Sequence, residues 1–236
     1  MIRGINIDNL WDEGLEEKLE KITGEKRVAR VVFSPGDLGH IEFCLDQVFM
    51  IHKYADLMIQ IQDSYGERDL SDAELYAKAE NLIDSFKGIC SFWEVGNEVN
   101  GDWCSHNIAE RVKTIKTLIP EGHKTALTLF WAPDPIGWYK ENPIQTDYVF
   151  ISYYPRDSVD ISTTESRMLG YCKEILEINP SCQVGIGETD FDEWNGNPPS
   201  WRKRAVYRKA MEHPKINHPQ WCGGGFWWSG LRDGFI

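Results

Sequence analysis

Ser91-Phe92-Trp93-Glu94-Val95-Gly96-Asn97-Glu98 decides how the rest of the chain is read. Apolar and aromatic residues follow the break at Lys87-Gly88, as in a strand. Gly96-Asn97-Glu98, with Asn100-Gly101-Asp102 behind it, has the composition of a loop. A carboxylate therefore stands where a strand stops and the backbone turns outward. Gln183-Val184-Gly185-Ile186-Gly187-Glu188 repeats the pattern, a short apolar strand ending in Glu188 with Thr189-Asp190 after it. Two strand-ending glutamates, 188 − 98 = 90 positions apart, point to paired-carboxylate chemistry.

On either side of this stretch, strand and helix patterns alternate. Strands are expected at Ile2 to Ile7, Arg27 to Phe33, Ala55 to Ile61, Thr125 to Trp131, Asp147 to Tyr154 and Gly225 to Trp228, besides the two that carry Glu98 and Glu188. Between them, Leu15 to Ile22 reads as a charged helix, and Ile41, Cys44, Leu45, Val48 and Ile51 recur at a helical period. Ser71-Asp72-Ala73-Glu74 and Ser162-Thr163-Thr164-Glu165 each read as a capping box, in which Ser and Glu side chains satisfy free N–H groups at a helix start. These predict helices to about Phe86 and Ile178. Further helices are expected at Asn107 to Leu118 and Ser200 to His213, while the Pro-rich link after Trp131 predicts a degraded fifth helix.

Eight strands with helices between most of them predict a single α/β domain over residues 1–236, a compact (β/α)8 TIM barrel lacking its eighth helix, since only eight residues follow Trp228. An open doubly wound sheet is the alternative. It would carry a Gly-rich phosphate loop after an early strand, and the sequence has none. In such barrels the chemistry sits at the C-terminal strand ends. Those ends hold Asn6 and Asp8, Gln62 and Asp63, Asn97 and Glu98, Trp131, Tyr153 and Tyr154, Glu188, and Trp227 and Trp228.

Composition narrows the partners. A net charge of 25 − 37 = −12 disfavours nucleic acid and anionic lipid surfaces. No run of 18 apolar residues could span a membrane. The six Cys include no CxxC pair, and the His residues lack ligand spacing, so reduced thiols, no metal and no cofactor are expected. The acidic run Asp190, Asp192, Glu193 reads as a solvated loop rather than a cation site. Met1 leads almost directly into a strand, so a secreted protein is expected only if a leader has been removed, and a cytoplasmic one otherwise. Ten Trp fit either a Trp-rich core or rings that stack on sugars, and Trp103, Trp131, Trp138, Trp194 and Trp201 are the platform candidates.

The two glutamates and their strand order resemble clan A of the retaining glycoside hydrolases, across essentially the whole chain. The resemblance implies Glu98 as acid/base and Glu188 as nucleophile. It also implies Asn97 holding a sugar hydroxyl, and Trp227 as the strand-eight tryptophan under the cleaved sugar, where the alternative is a core residue. Ser152-Tyr153-Tyr154-Pro155 resembles strand six of the endo-galactanases, implying Tyr154, or else Tyr153, beside the nucleophile. Arg30 matches the strand-two arginine. The histidine of cellulase-like members has no counterpart. The implied activity is endo-acting hydrolysis of β-linked oligo- or polysaccharide by a monomer, with Asn6 and Trp131 as further binding residues. A non-catalytic carbohydrate-binding barrel and a barrel enzyme of another class are the alternatives. The second would need His or Asp ligands at several strand ends.

Overall fold

The structure is a computed structural model that describes residues 2–21, 27–33, 41–63, 68–154, 158–189 and 218–227; of residues 158–162 and 227 only the backbone is described. The strands are β1 (Ile2–Ile7), β2 (Val28–Val31), β3 (Asp56–Gln60), β4 (Phe92–Gly96), β5 (Lys124–Phe130), β6 (Tyr148–Ser152), β7 (Gln183–Thr189) and β8 (Trp221–Trp227). They form a closed barrel in chain order, each parallel to its neighbours, with β1 pairing β8 at Arg3 and Gly224. The described helices are α1 (Leu15–Glu20), α2 (Ile41–His52), α3 (Asp72–Phe86), α4 (Ile108–Leu118), α5 (Pro135–Glu141) and α6 (Ser158–Ile178). None of them is long and apolar enough to cross a membrane.

Parallel strands covered by helices are buried on both faces and run nearly continuously apolar. Outward residues such as Ile59, Val95, Leu127, Ile151 and Ile186 pack with the helices into the main core. A second cluster fills the lower barrel interior: Met58, Phe92, Ala126, Tyr148, Phe150, Cys222 and Phe226. Its rings meet at 4.8 Å (Phe92–Tyr148) and 5.6 Å (Phe150–Phe226). Below that floor, at the N-terminal strand ends, lies a cavity of about 460 Å³ lined by Asp56, Lys124 and Tyr148 among others. Above it the interior turns polar.

The first capping box forms as expected. Ser71 Oγ accepts from Glu74 N–H at 3.3 Å and Glu74 Oε2 accepts from Ser71 N–H at 2.8 Å. The second does not, because α6 begins at Ser158 and encloses Ser162 in its first turns. The degraded helix is a seven-residue one, α5, whose start is fixed by Asp134 Oδ1 accepting from Gly137 N–H at 2.9 Å and by Pro135 in its first turn. β8 begins at Trp221, four residues earlier than expected, because its three glycines take positive φ and remain in the ladder. At Gly224 a Cβ would fall 2.0 Å from the Ile186 carbonyl oxygen, so no larger residue fits there. All six cysteines are free thiols. The helix expected from Ser200 to His213, any eighth helix, Asp190, Asp192, Glu193, Trp194, Trp201 and Trp228 lie outside the described residues.

Candidate active site

Strand β4 places the first carboxylate through two local departures from regular geometry. Its register against β5 shifts between Glu94 and Gly96. At Gly96 a Cβ would stand 2.6 Å from Val99 and 2.8 Å from Val112 of α4, so only glycine lets the loop and helix close over the strand end. Glu98 then adopts φ +48°, a left-handed conformation that costs a non-glycine residue roughly 1–2 kcal/mol. The turn is closed by Gly101 N–H donating to the Glu98 carbonyl at 2.9 Å.

Beneath Glu98, the upper interior of the barrel is a buried polar network centred on Arg30. Its Nε donates to Glu94 Oε2 at 2.7 Å, and its Nη1 donates to Asn6 Oδ1 at 2.9 Å and to Glu188 Oε2 at 3.0 Å. Thr128 Oγ1 donates to the other Glu94 oxygen. Glu188 accepts from the Tyr154 hydroxyl at Oε1, and Asn97 Nδ2 reaches its Oε2 at 3.5 Å. Burial works against the charge on Arg30, but Glu94 and Glu188 outweigh it and hold the guanidinium firmly protonated.

The two strand-end glutamates are differently supported. Burial, and then the charge of Glu188, push the Glu98 carboxyl up to about 8. Burial also raises Glu188, but the Arg30 guanidinium and the Tyr154 hydroxyl oppose that rise. Asn97 Oδ1, Asn6 Nδ2 and Gln62 Oε1 are buried at this end of the barrel without hydrogen-bond partners, while the Ser152 hydroxyl lies beside the Glu98 carboxyl. Buried polar atoms are normally paired, so a cluster of orphans marks a place for a polar ligand.

The structure therefore brings together Asn6, Arg30, Asn97, Glu98, Tyr154 and Glu188. Of the two candidate tyrosines, Tyr154 bonds Glu188, whereas Tyr153 is buried in the barrel–helix layer. Trp131 goes with Tyr153, not with the carboxylates. Its ring lies edge-on to Tyr153 at 5.3 Å with the Arg167 guanidinium over it at 5.2 Å. β5 ends one residue earlier than expected, so Phe130 stands at the strand end facing Tyr154 at 6.3 Å. Trp138 packs on the core from α5. Trp227 ends β8 in register with Thr189, and its side chain lies outside the described residues. Glu94 and Thr128 escaped the sequence reading. Glu94 carried a signal: it shares a strand face with Phe92, and a carboxylate at a buried strand position requires a partner.

Among the described residues no group of three His, Cys, Asp or Glu side chains is arranged to hold a metal ion. No family model matches the chain, and no curated protein matches its sequence. Solved structures do share its fold. An FMN-binding β-glucuronidase from Facaelibacterium prausnitzii L2-6 superposes with a TM-score of 0.63 at 12% identity over 95% of this chain, which spans only 36% of that one. A thermostable mutant of a xylanase from Cellvibrio japonicus gives 0.63 at 11% identity, covering 96% of this chain and 85% of the other. The family 1 β-glucosidase from Thermotoga maritima gives 0.61 at 14%, covering 94% and 77%. The closed eight-stranded parallel barrel is thus the (β/α)8 TIM-barrel fold that these structures share.

Proposed function

We propose that the chain is a retaining glycoside hydrolase that cleaves internal bonds of β-linked oligo- or polysaccharide, with Glu188 as nucleophile and Glu98 as acid/base. The observation that carries this reading is the asymmetry between the two carboxyl groups. Glu188 is surrounded by donors, Arg30, Tyr154 and Asn97, that favour its ionised form. Glu98 faces no cation at such close range, and burial and the Glu188 charge push it up to about 8. Burial raises both carboxyl groups, but only at Glu188 do a guanidinium and a hydroxyl oppose the rise, which suits Glu188 to the nucleophile's part and Glu98 to the proton donor's. The glycosidase names of the fold neighbours point the same way.

In the first step a Glu188 oxygen bonds to the anomeric carbon, the carbon–oxygen bond to the leaving group breaks, and the Glu98 proton passes to that departing oxygen. Forming the ester removes the Glu188 charge, so Glu98, now ionised, loses one cause of its high pKa and takes a proton from water. The water oxygen attacks the anomeric carbon from the opposite face, and Glu188 leaves as carboxylate. Two inversions give retention. Arg30 and Tyr154 hold the Glu188 oxygens in place before attack and after release. The orphaned Asn6, Asn97 and Gln62 atoms are positioned to meet sugar hydroxyls.

The test is a set of 2-fluoro β-glycosides of several sugars. The expected result is one covalent label, mapped to Glu188, with a β-configured initial product by NMR. A label elsewhere removes Glu188 from its role, an inverted product removes the retaining mechanism, and binding of oligosaccharide without any turnover favours a carbohydrate-binding barrel.

A further inference from the structure

The turn after Glu98 does more than aim a carboxylate. At Gly101 a Cβ would stand 2.3 Å from the Trp103 ring, so the indole lies flat against the loop backbone where only glycine admits it. The Trp103 ring then meets Phe130 edge-on at 5.0 Å. Phe130 is fixed in turn by Asn100, whose Nδ2 donates to the Phe130 carbonyl at 2.8 Å and whose Oδ1 accepts from the Phe130 N–H at 2.6 Å. Phe130 faces Tyr154 at 6.3 Å, and Tyr154 bonds Glu188. Trp103 and Phe130 are both half-buried, so each keeps part of its ring open. A continuous aromatic wall thus runs from the Glu188 carboxylate, through Tyr154, to the loop that carries Glu98.

We propose that Phe130 and Trp103 form the subsite for the leaving group, and that they take the apolar face of a sugar ring on the departing side of the scissile bond. The assignment rests on the glycosidase reading above and deepens it. The proton from Glu98 must reach the oxygen that departs, so the segment following Glu98 flanks the departing half of the substrate and not the half bonded to Glu188. Equatorial hydroxyls leave a pyranose ring with a C–H face that packs on flat aromatic surface. Half-exposed rings locked by a glycine and a bidentate asparagine lose little conformational freedom when they bind one. Such a site favours an oligosaccharide remainder over a small leaving group, which is what cleavage of internal bonds needs.

Phe130→Leu and Trp103→Leu keep bulk and remove the flat face. Each is compared with wild type on β-linked gluco-, xylo-, manno- and galacto-oligosaccharides and on the matching β-glycosyl fluorides, whose leaving group has no ring to stack. The expected result is a fall in kcat/KM of about tenfold to a hundredfold on the oligosaccharide, with fluoride turnover within about twofold of wild type. Adding an oligosaccharide acceptor to the fluoride reaction should give less transfer product with the variants than with wild type. Equal losses on both substrates, or no loss on the oligosaccharide, overturns the subsite. Wild-type protein that turns over none of the fluorides or oligosaccharides fails the glycosidase reading itself, and the subsite with it.

Discussion

Arg30 bridges two carboxylates: Nε meets Glu94 Oε2 at 2.7 Å, and Nη1 meets Glu188 Oε2 at 3.0 Å. Both Arg30 and Glu94 are inaccessible to solvent, so water cannot take the place of Glu94 in this pair. Breaking a buried pair leaves an uncompensated charge, which destabilises by about 3–5 kcal/mol. Glu94→Gln is therefore expected to lower the unfolding free energy, read from a urea titration, by up to that order. It also removes a negative charge that raises the Glu188 pKa, so the acid limb of kcat/KM should move to lower pH. A stable variant with an unmoved limb would make Glu94 a spectator.

Tyr154 acts on the same group with the opposite sign. Its hydroxyl donates to Glu188 and favours the carboxylate. Tyr154→Phe should move the acid limb upward. With a hydrogen bond to a charged group worth about 1.5–3 kcal/mol, kcat/KM should fall roughly ten- to a hundredfold. A pH series of initial rates with both variants reads the two shifts directly, and shifts of the same sign would contradict the geometry.

Glu98→Ala should lose about 10²- to 10⁴-fold on substrates with poor leaving groups and far less in the first step on activated aryl glycosides. Azide should restore turnover of the latter and yield a glycosyl azide of retained configuration. In wild type the rate should fall as pH rises through about 8, where Glu98 loses its proton, and the variant should lack that limb. Wild-type rates on natural polysaccharide would remove Glu98 from the mechanism.

Glu98 also bears on stability. Its folded pKa of about 8 lies above the ordinary 4.5, so between those values folding takes up a proton and stability falls as pH rises. Glu98→Gln cannot ionise and is spared this cost. The variant should melt close to wild type near pH 4. Its advantage should grow through about pH 8, to a few kcal/mol in order of magnitude, and then level off. A constant difference in Tm across that range would mean that Glu98 does not titrate as its burial requires.

The order of strands, the α3 capping box and the strand-end positions of Glu98 and Glu188 were legible because each depends on a short local pattern: an apolar run, a Ser three before a Glu, a carboxylate before a loop. Four features were not, for reasons of geometry. Ser162-Thr163-Thr164-Glu165 satisfies a capping pattern that helix propagation overrides once the chain is already helical at Ser158. Cys222-Gly223-Gly224-Gly225 has a loop's composition, yet it is strand because the β7 backbone approaches too closely for side chains. A one-residue difference in where β5 ends exchanges Phe130 for Trp131 at the cleft, since successive strand residues face opposite sides. The Arg30–Glu94 pair joins residues 64 positions apart, and no local pattern encodes it.

The aromatic floor beneath this network separates the polar layer from the cavity at the other end of the barrel. Phe92, Tyr148, Phe150 and Phe226 fill its lower section, between the cavity at the N-terminal strand ends and the Glu94–Arg30–Glu188 layer. The Tyr148 hydroxyl is turned to Lys124 Nζ at 3.3 Å, and Phe92, Phe150 and Phe226 offer no oxygen or nitrogen atoms for hydrogen ions to hop along. Whatever Glu98 gives up must then be restored through the same mouth by which sugar enters and leaves. Recharging and product departure become a single sequential event, and a deuterium-oxide effect on the step that follows release is its kinetic signature.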